Sequence, residues 1–580
     1  MSMFKPVFFL ILIAALSTDV SGQKKLFLVN NGKSSYKIVI PADANAIEKQ
    51  SAAVLQNYIQ KISNCKLPVI QQNVSSSSYK IIIGRNKVIS PRNLANLGGD
   101  GFIIKSADNS LILTGGNRKG VLYSVYTLLE DYLGCRMYAS AVSEVPHQST
   151  ISLPASINKT QVPDFGYRMT FFRDAFDHTY CDFHKMNYVY ENWGLWVHSF
   201  ERLVPKDQYF QTHPEYYALV NGKRTADQLC LTNPAVLSLV IQHLEQMIKE
   251  KPEAKYWSVS QNDNDNFCQC DNCKKLNDEQ GSYQGSILTF VNNVARHFPE
   301  KTITTLAYRN SEGAPKTLKP LSNVLIMLCT TYDERRLPYK YQTSLSFYSN
   351  FKKWSSICPE LFIWDYIVSF GNALSPFPNY YTIQPNVQYF ATRNVNYLFL
   401  QGIGDMPSEF SELRCYMASR LMWNKNVNIP ATMQEFINGY YGKKGGSYIK
   451  SYIDLLEKNA SLKPVGLRSG GSPVDAAGTY LSPANIKAYK DIFVNALNAT
   501  DGTVYNTRIM KEYMPVLYAE LEINKAKISS GNKNTFEKQT NINLLNDFYK
   551  KMKQLNITYL NEARLNVDDY YKKYNALLGK

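Results

Sequence analysis

Histidine is scarce in this chain, with seven in 580 residues. So small a supply, without a His-Glu-x-x-His pair, leaves little from which to assemble a catalytic metal centre, and no catalytic cofactor is expected. A Gly-x-Ser-x-Gly elbow, a Gly-rich phosphate loop ending in Lys and a dinucleotide fingerprint are also missing. Their absence removes the serine-hydrolase, nucleotide-hydrolysing and Rossmann readings. The formal charge is +16 and the pI about 9.1, yet Lys and Arg are scattered and form no dense basic block interleaved with aromatics. Nucleic acid is therefore excluded as a partner, while simple solubility and an acidic glycan both remain open. Beyond the N-terminus no stretch is apolar over eighteen residues, so no membrane span is expected. Ten cysteines are too few for a disulfide scaffold of this size.

What is present begins with a leader. Lys5 precedes the apolar run 6–16, and the small, polar residues 17–22 follow, the three-part plan of a signal peptide over residues 1–22. The protein is expected to be exported, periplasmic or secreted, and no cysteine near the cleavage site suggests a lipid anchor. Aromatics are plentiful, with 41 Tyr and six Trp, and suit carbohydrate ligands and cores alike.

Residues 24–155 read as a small α+β domain, with strand patterns at 36–40, 79–83, 101–104 and 110–114 and two amphipathic helices. Gly134 is placed to cap the second helix, and Asn117-Arg-Lys-Gly120 ahead of it reads as a turn rather than an anion site. Residues 153–163 look like a linker. Apolar strand-like runs then alternate with helical stretches at 165–172, 186–190, 216–220, 256–260, 302–307, 324–329, 361–364 and 397–400, the number that a (β/α)8 TIM-type barrel over residues 160–430 needs. A helical C-terminal region follows over 431–580.

Active sites in such barrels lie at the C-terminal ends of the strands. That rule selects Arg168 and Arg173, Trp193, Trp196 and His198, Asn262 and Asp263, Tyr308 and Arg309, Asp333, Glu334 and Arg335, Asp365 and Tyr366, and Gln401 and Asp405. Carboxylates, aromatics and arginines converging on one mouth suit glycoside hydrolysis, in which one carboxyl acts as acid and another as base, nucleophile or charge stabiliser. Asp263 is the candidate acid, with Asp265 beside it or an apolar wall from Trp257 or Trp364 to tune it. Asp365 and Asp333 are the candidate nucleophiles. Arg168, Trp193, Trp196, His198, Tyr308, Trp364, Tyr366 and Gln401 are expected to bind substrate.

The richest stretch runs Tyr256-Trp-Ser-Val-Ser-Gln-Asn-Asp-Asn-Asp-Asn-Phe-Cys-Gln-Cys-Asp-Asn-Cys273. Cys268, Cys270 and Cys273, joined by Cys230, hold one structural Zn²⁺ or form disulfides, and either would brace the loop carrying Asp263. Cys329 and Cys358 read as buried hydrophobes, and a Cys65–Cys135 bridge is conceivable.

The runs Trp193-Gly-Leu-Trp-Val-His198, Gln228-Leu-Cys-Leu-Thr-Asn233, Ser258-Val-Ser-Gln-Asn-Asp263 with the cysteine cluster, Thr305-Leu-Ala-Tyr308, Ile363-Trp-Asp-Tyr366 and Glu409-Phe-Ser-Glu-Leu-Arg414 resemble the bacterial domain of unknown function 4838 over roughly residues 160–430. Some members are classed as glycoside hydrolase family 163, endo-β-N-acetylglucosaminidases acting on complex N-glycans. Gly115-Gly-Asn-Arg-Lys-Gly-Val-Leu-Tyr-Ser-Val-Tyr126 is similar to the N-terminal domains of α-glucuronidases and β-hexosaminidases, which place a β/α barrel next. The resemblance implies a glycan or glycoprotein substrate. By analogy with hexosaminidases it also implies a substrate-assisted mechanism, with Asn262 polarising the substrate's N-acetyl group and Asp263 protonating the leaving oxygen. Leu400-Gln401-Gly402 departs from the family pattern, in which an acidic residue often ends the eighth strand. An α-glucuronidase-like exo-hydrolase and a catalytically inactive glycan-binding relative are the alternatives.

Overall fold

The computed structural model describes residues 24–72, 78–331, 334–462, 466–531, 535–561 and 564–579. The leader and Asp333 lie outside the described residues. The chain divides into two compact units, one formed by the residues up to Gly134 together with Val145–Gln161, the other by Cys135–Glu144 together with the residues from Val162 onward.

In the first unit β1 (Lys25–Val29) pairs with β9 (Ile151–Pro154). A six-stranded sheet runs in the order β10 (Asn158–Gln161), β5 (Phe102–Ala107), β6 (Ser110–Gly115), β4 (Lys80–Ile83), β2 (Lys37–Ile40), β3 (Val69–Gln71). The helices Ala46–Ser63 and Gly120–Asp131 pack on it and on each other. A reciprocal capping box between Asn45 and Glu48 starts the first of these, and Asn64 ends it at φ 58°. Gly134 follows the second at φ 73°. The Asn117–Gly120 segment is a turn whose Arg118 is tied to Asp100 at 2.5 Å. The stretch 153–163 is not a linker. Its residues 158–161 form the edge strand β10, whose ladder to β5 satisfies backbone groups without an apolar pattern to announce it.

The second unit holds the hairpin β7 (Arg136–Ala139) and β8 (Val142–Glu144) and an all-parallel, curled sheet of seven strands. Its order is β11 (Tyr167–Thr170), β19 (Val395–Gln401), β18 (Leu361–Tyr366), β17 (Val324–Cys329), β16 (Thr302–Ala307), β15 (Tyr256–Ser258), β12 (Trp193–Leu195). That is the cyclic order of a β/α barrel opened between its first two strands. Among the described residues the sheet therefore has seven strands, not the expected eight. At the open seam isolated bonds replace the ladder: Trp193 Nε1 donates to the Tyr167 hydroxyl at 2.9 Å, the Arg168 N–H donates to Asn187 Oδ1 at 2.9 Å, and the Asn187 N–H donates to the Arg168 carbonyl at 2.8 Å.

Six of the expected strands lie in this sheet, β12 is a seventh that was not expected, and two expected strands are absent from it. Around 186–190 the backbone turns left-handed at Lys185, Tyr190 and Asn192 (φ 59°, 60° and 67°), which no extended strand accommodates. The 216–220 pattern does form β13 (Tyr217–Val220), but it pairs antiparallel with β14 (Lys223–Leu229) through Asn221-Gly222, whose positive φ values of 48° and 77° suit a two-residue hairpin turn.

Period-2 alternation sends Tyr167, Met169, Trp193, Tyr256, Leu306, Met327, Cys329, Phe362, Trp364, Tyr397 and Phe399 into the curl. Outside, helices such as Pro234–Glu250, Gln284–Ala295, Ser346–Ile357 and Tyr380–Phe390 cover the sheet, and the long helices Ile429–Leu462, Pro483–Ala499 and Val504–Ser529 pack together. Gly194 shows how tight the outer face is: a Cβ there would lie 2.3 Å from the fully buried Trp257 ring. Gly194→Ala is expected to destabilise by about 1–3 kcal/mol. An unchanged thermal midpoint would contradict that packing.

Candidate active site

At the C-terminal ends of the parallel strands a cavity of about 1070 Å³ opens. Its wall is aromatic. Phe171, Tyr190, Trp196, Trp364, Tyr366, Phe370 and Phe399 line it, with Trp196 against Tyr190 at 5.0 Å and against Trp364 at 5.6 Å between ring centroids. Flat apolar faces beside a few polar groups are what a sugar ring packs against.

The polar groups come from several strand ends. After β15 the chain leaves the sheet, and Asp263 presents its carboxylate to the cavity, 58% exposed. Tyr308, after β16, lines the cavity beside that carboxylate. Burial, and then the Asp263 charge, pushes the Tyr308 phenol well above its usual range, so it stays a neutral donor. Arg309 sits at φ 52° and holds Asp265 at 2.7 Å and Asp263 at 3.6 Å. His198, also left-handed at φ 54°, is fixed through Nδ1 to the Gln261 carbonyl at 2.8 Å, which leaves Nε2 as its other polar atom. Gln401 accepts from Trp364 Nε1. On the floor, burial raises the Cys329 thiol and the Tyr366 phenol well above their ordinary values.

The remaining wall comes from far along the chain. Gly466, Arg468, Ser469, Gly470, Gly471 and Asp475 belong to the connection after the helix Ile429–Leu462. Glu334 accepts the Leu467 N–H, the Phe370 N–H donates to the Ser469 carbonyl at 2.6 Å, and Asn372 Nδ2 donates to the Gly471 carbonyl at 2.9 Å. This clamp delivers Arg468 and Asp475 to the cavity. The only hint in the sequence is a Gly-rich break between helical patterns.

Trp196, His198, Asp263, Tyr308, Trp364, Tyr366 and Gln401 are thus brought together as expected from their strand-end positions. Of the described residues expected to act in catalysis or to bind substrate, four do not line the cavity. Asp365 alternates with the inward Trp364 and Tyr366, so it faces outward and is buried, bonded to Tyr339 at 2.6 Å, Thr330 at 2.7 Å and Arg335 at 3.0 Å. Arg168 likewise faces outward, fully buried, donating to the carbonyls of Lys185 and Phe165 at 2.7 Å and stacking on Trp423. Trp193 belongs to the packed core beneath the cavity, against Trp196, Tyr256 and Phe362. Asn262 lies beside Asp263 but turns away. Its Oδ1 accepts the Glu201 N–H at 3.1 Å and its Nδ2 donates to the Asp227 carbonyl at 2.8 Å, so it polarises nothing in the cavity. Trp257 is fully buried against Gly194 and forms no wall for Asp263.

A family model described as Domain of unknown function (DUF4838) matches residues 137–454, more than half of the chain. The chain belongs to this family. A second model, Glycosyl hydrolase family 67 N-terminus, matches residues 30–128. In this DUF4838 chain the run Glu409 to Arg414 is architectural: Arg414 pairs with Glu409 at 2.5 Å, donates to the Phe377 carbonyl and stacks on Tyr380. Among solved structures the fold is similar to a family GH115 4-O-methyl-α-glucuronidase, BtGH115A, with specificity for decorated arabinogalactans. The TM-score is 0.57 at 12% identity, covering 94% of this chain and 79% of that chain. CpGH84B aligns at TM-score 0.46 and 13% identity over 95% of this chain and 98% of that one. A GH138 enzyme targeting pectin rhamnogalacturonan II aligns at TM-score 0.44 and 10% identity over 94% of this chain and 79% of that one. No curated protein matches.

Proposed function

We propose that this protein is a glycoside hydrolase, exported to act on glycans, with Asp263 as the group that exchanges a proton with the glycosidic oxygen. The observation that carries this reading is a carboxylate that faces an aromatic-walled cavity at the strand ends, beside Tyr308 and Arg309. The glucuronidase-type N-terminal match and the fold shared with a GH115 enzyme accord with it. Of the second carboxyl group that such chemistry needs, Asp475 is the described candidate on the cavity wall.

Two substrate classes divide the finer reading. Arg468 on the wall favours an anionic sugar, a uronic acid cut in the manner of an α-glucuronidase, because a guanidinium grips a carboxylate at two points. The Gln401 amide, held by Trp364, favours an N-acetylated sugar and an endo-β-N-acetylglucosaminidase on complex N-glycans. With Asn262 committed elsewhere, Gln401 takes the amide role in that case. Incubating the purified protein with an N-glycoprotein and, separately, with a uronic-acid-bearing polysaccharide, and profiling the released sugars, decides between them. Binding without release from either would instead mark a catalytically silent glycan-binding protein. For the uronic-acid class, Arg468→Gln is expected to lower kcat/KM by about 10- to 100-fold, the worth of a hydrogen-bonded charge, while neutral substrates are unaffected. Equal loss on both substrate types would dismiss Arg468 as a carboxylate-binding residue.

A further inference from the structure

Beside the cavity, β13 and β14 lie against the segment that carries Asp263. Gln228 of β14 accepts the Asn262 N–H at 3.1 Å and donates to the carbonyls of Asn262 and Asn264 at 2.8 and 3.0 Å. At the other end the Gln269 N–H donates to the Leu219 carbonyl at 2.7 Å, and the Asn221 N–H donates to Gln269 Oε1 at 3.0 Å. Between these two sets of bonds, Cys230 directs its sulfur at Cys268, Cys270 and Cys273. All four sulfurs lie within 4.8 Å of one another, and Cys230 Sγ is 3.6 Å from Cys270 Sγ. Four thiolates around one tetrahedral Zn²⁺, each about 2.3 Å from the metal, stand about 3.8 Å apart. A disulfide draws two sulfurs to about 2.05 Å and would sort the four into pairs. Each of these cysteines is instead a free thiol in a single cluster.

The surroundings suit an anionic metal–thiolate centre. The Leu219 N–H donates to Cys268 Sγ at 3.3 Å, and the Thr232 hydroxyl lies 3.2 Å from Cys273 Sγ. Arg224, whose side chain donates to the Tyr217 carbonyl at 2.7 Å, brings a positive charge to the hairpin that carries Cys230. Cys270 is the N-cap of the helix Asp271–Gln280 and Cys273 sits in its first turn, where the helix dipole favours negative charge. Three of the four residues are buried and Cys270 is half-buried, so a bound ion would be closed off by protein. Such a set has no open position for substrate, which makes it structural.

We propose that Cys230, Cys268, Cys270 and Cys273 hold one zinc ion that staples the β13–β14 hairpin to the loop bearing Asp263. This assignment stands on the thiol cluster alone and is independent of the glycosidase reading.

The test is metal content of the full chain, purified without chelator and without a metal-affinity resin. About one zinc per chain is expected by elemental analysis. Denaturing the protein in chelator should release that zinc and leave all ten cysteines reactive as thiols, with Cys230, Cys268, Cys270 and Cys273, unreactive in the native protein, among those labelled. Cobalt offered in place of zinc should give the visible absorption of a tetrahedral tetrathiolate centre. Cys270→Ser should retain only a small fraction of the zinc, and hydrogen exchange over residues 217–230 and 261–273 should speed up after metal removal. If the variant does not fold, the wild-type zinc and thiol counts still decide. Metal-free protein whose intact mass reveals disulfides would overturn the proposal. Four reactive thiols in native, metal-free protein would do so as well, and so would zinc that persists when both Cys230 and Cys270 are replaced.

Discussion

Asp263→Asn is expected to lower turnover by about 10²- to 10⁴-fold with substrate affinity largely kept, because the amide preserves shape but has no proton to exchange at the glycosidic oxygen. The side chain is exposed to the cavity, so its loss exposes no buried partner, and the unfolding midpoint should hardly move. Tyr308 and Arg309 both contact the carboxylate, and neither contact is the shell of a buried ion pair. The shorter Arg309 contact, 2.7 Å, is to Asp265, which holds the arginine in place when Asp263 is changed. Comparing kcat and KM of the variant with those of wild type on whichever glycan is released makes the check. Near wild-type turnover would remove Asp263 from the reaction and leave it as a turn residue that caps its own loop.

The second large effect is on stability. Asp365→Ala removes the acceptor from the buried Arg335 guanidinium and from the hydroxyls of Tyr339 and Thr330, all at sites with almost no solvent contact. Breaking one side of such a pair leaves an uncompensated buried charge and costs about 3–5 kcal/mol. The same arginine also donates to the Ser469 hydroxyl, so the loop that brings Arg468 to the cavity is coupled to the pair. Replacing both partners, Asp365→Leu with Arg335→Met, is expected to cost less than Asp365→Ala alone, since two apolar groups leave no charge unpaired. Unfolding midpoints in urea for wild type and the two variants provide the measurement. An Asp365→Ala protein with an unchanged midpoint but no turnover would reinstate Asp365 as a nucleophile and overturn the structural role.

The set of residues around the cavity was partly legible because strand ends are marked locally. Apolar runs stop, polar residues follow, and in a parallel sheet all those ends lie on one side; Trp196, His198, Asp263, Tyr308 and Gln401 follow from that rule. The phase of β18 was legible too, although strand-end position alone overrides it. Phe362, Trp364 and Tyr366 share one face, so Asp365 between them must take the other. Asn262 shows the limit of adjacency: next to Asp263 in sequence, it is turned away by hydrogen bonds to Glu201 and Asp227, partners 61 and 35 residues distant.

Local pattern was enough for the parallel α/β organisation, the glucuronidase-type N-terminal unit, the helical C-terminal region and the family, since each rests on short-range periodicity or contiguous motifs. It also brought Cys268, Cys270 and Cys273 within one turn of chain, with Cys230 as their nearest candidate partner. The strand count needed the folded chain: seven strands, not eight, form the curled sheet. The 186–190 and 216–220 segments carry strand-like composition, but left-handed residues break one and an Asn-Gly turn folds the other back on itself. Long-range contacts alone placed Arg468 and Asp475 in the cavity, because the clamp by Glu334, Phe370 and Asn372 acts between residues about 100 or more apart, and no local pattern encodes a contact at that range.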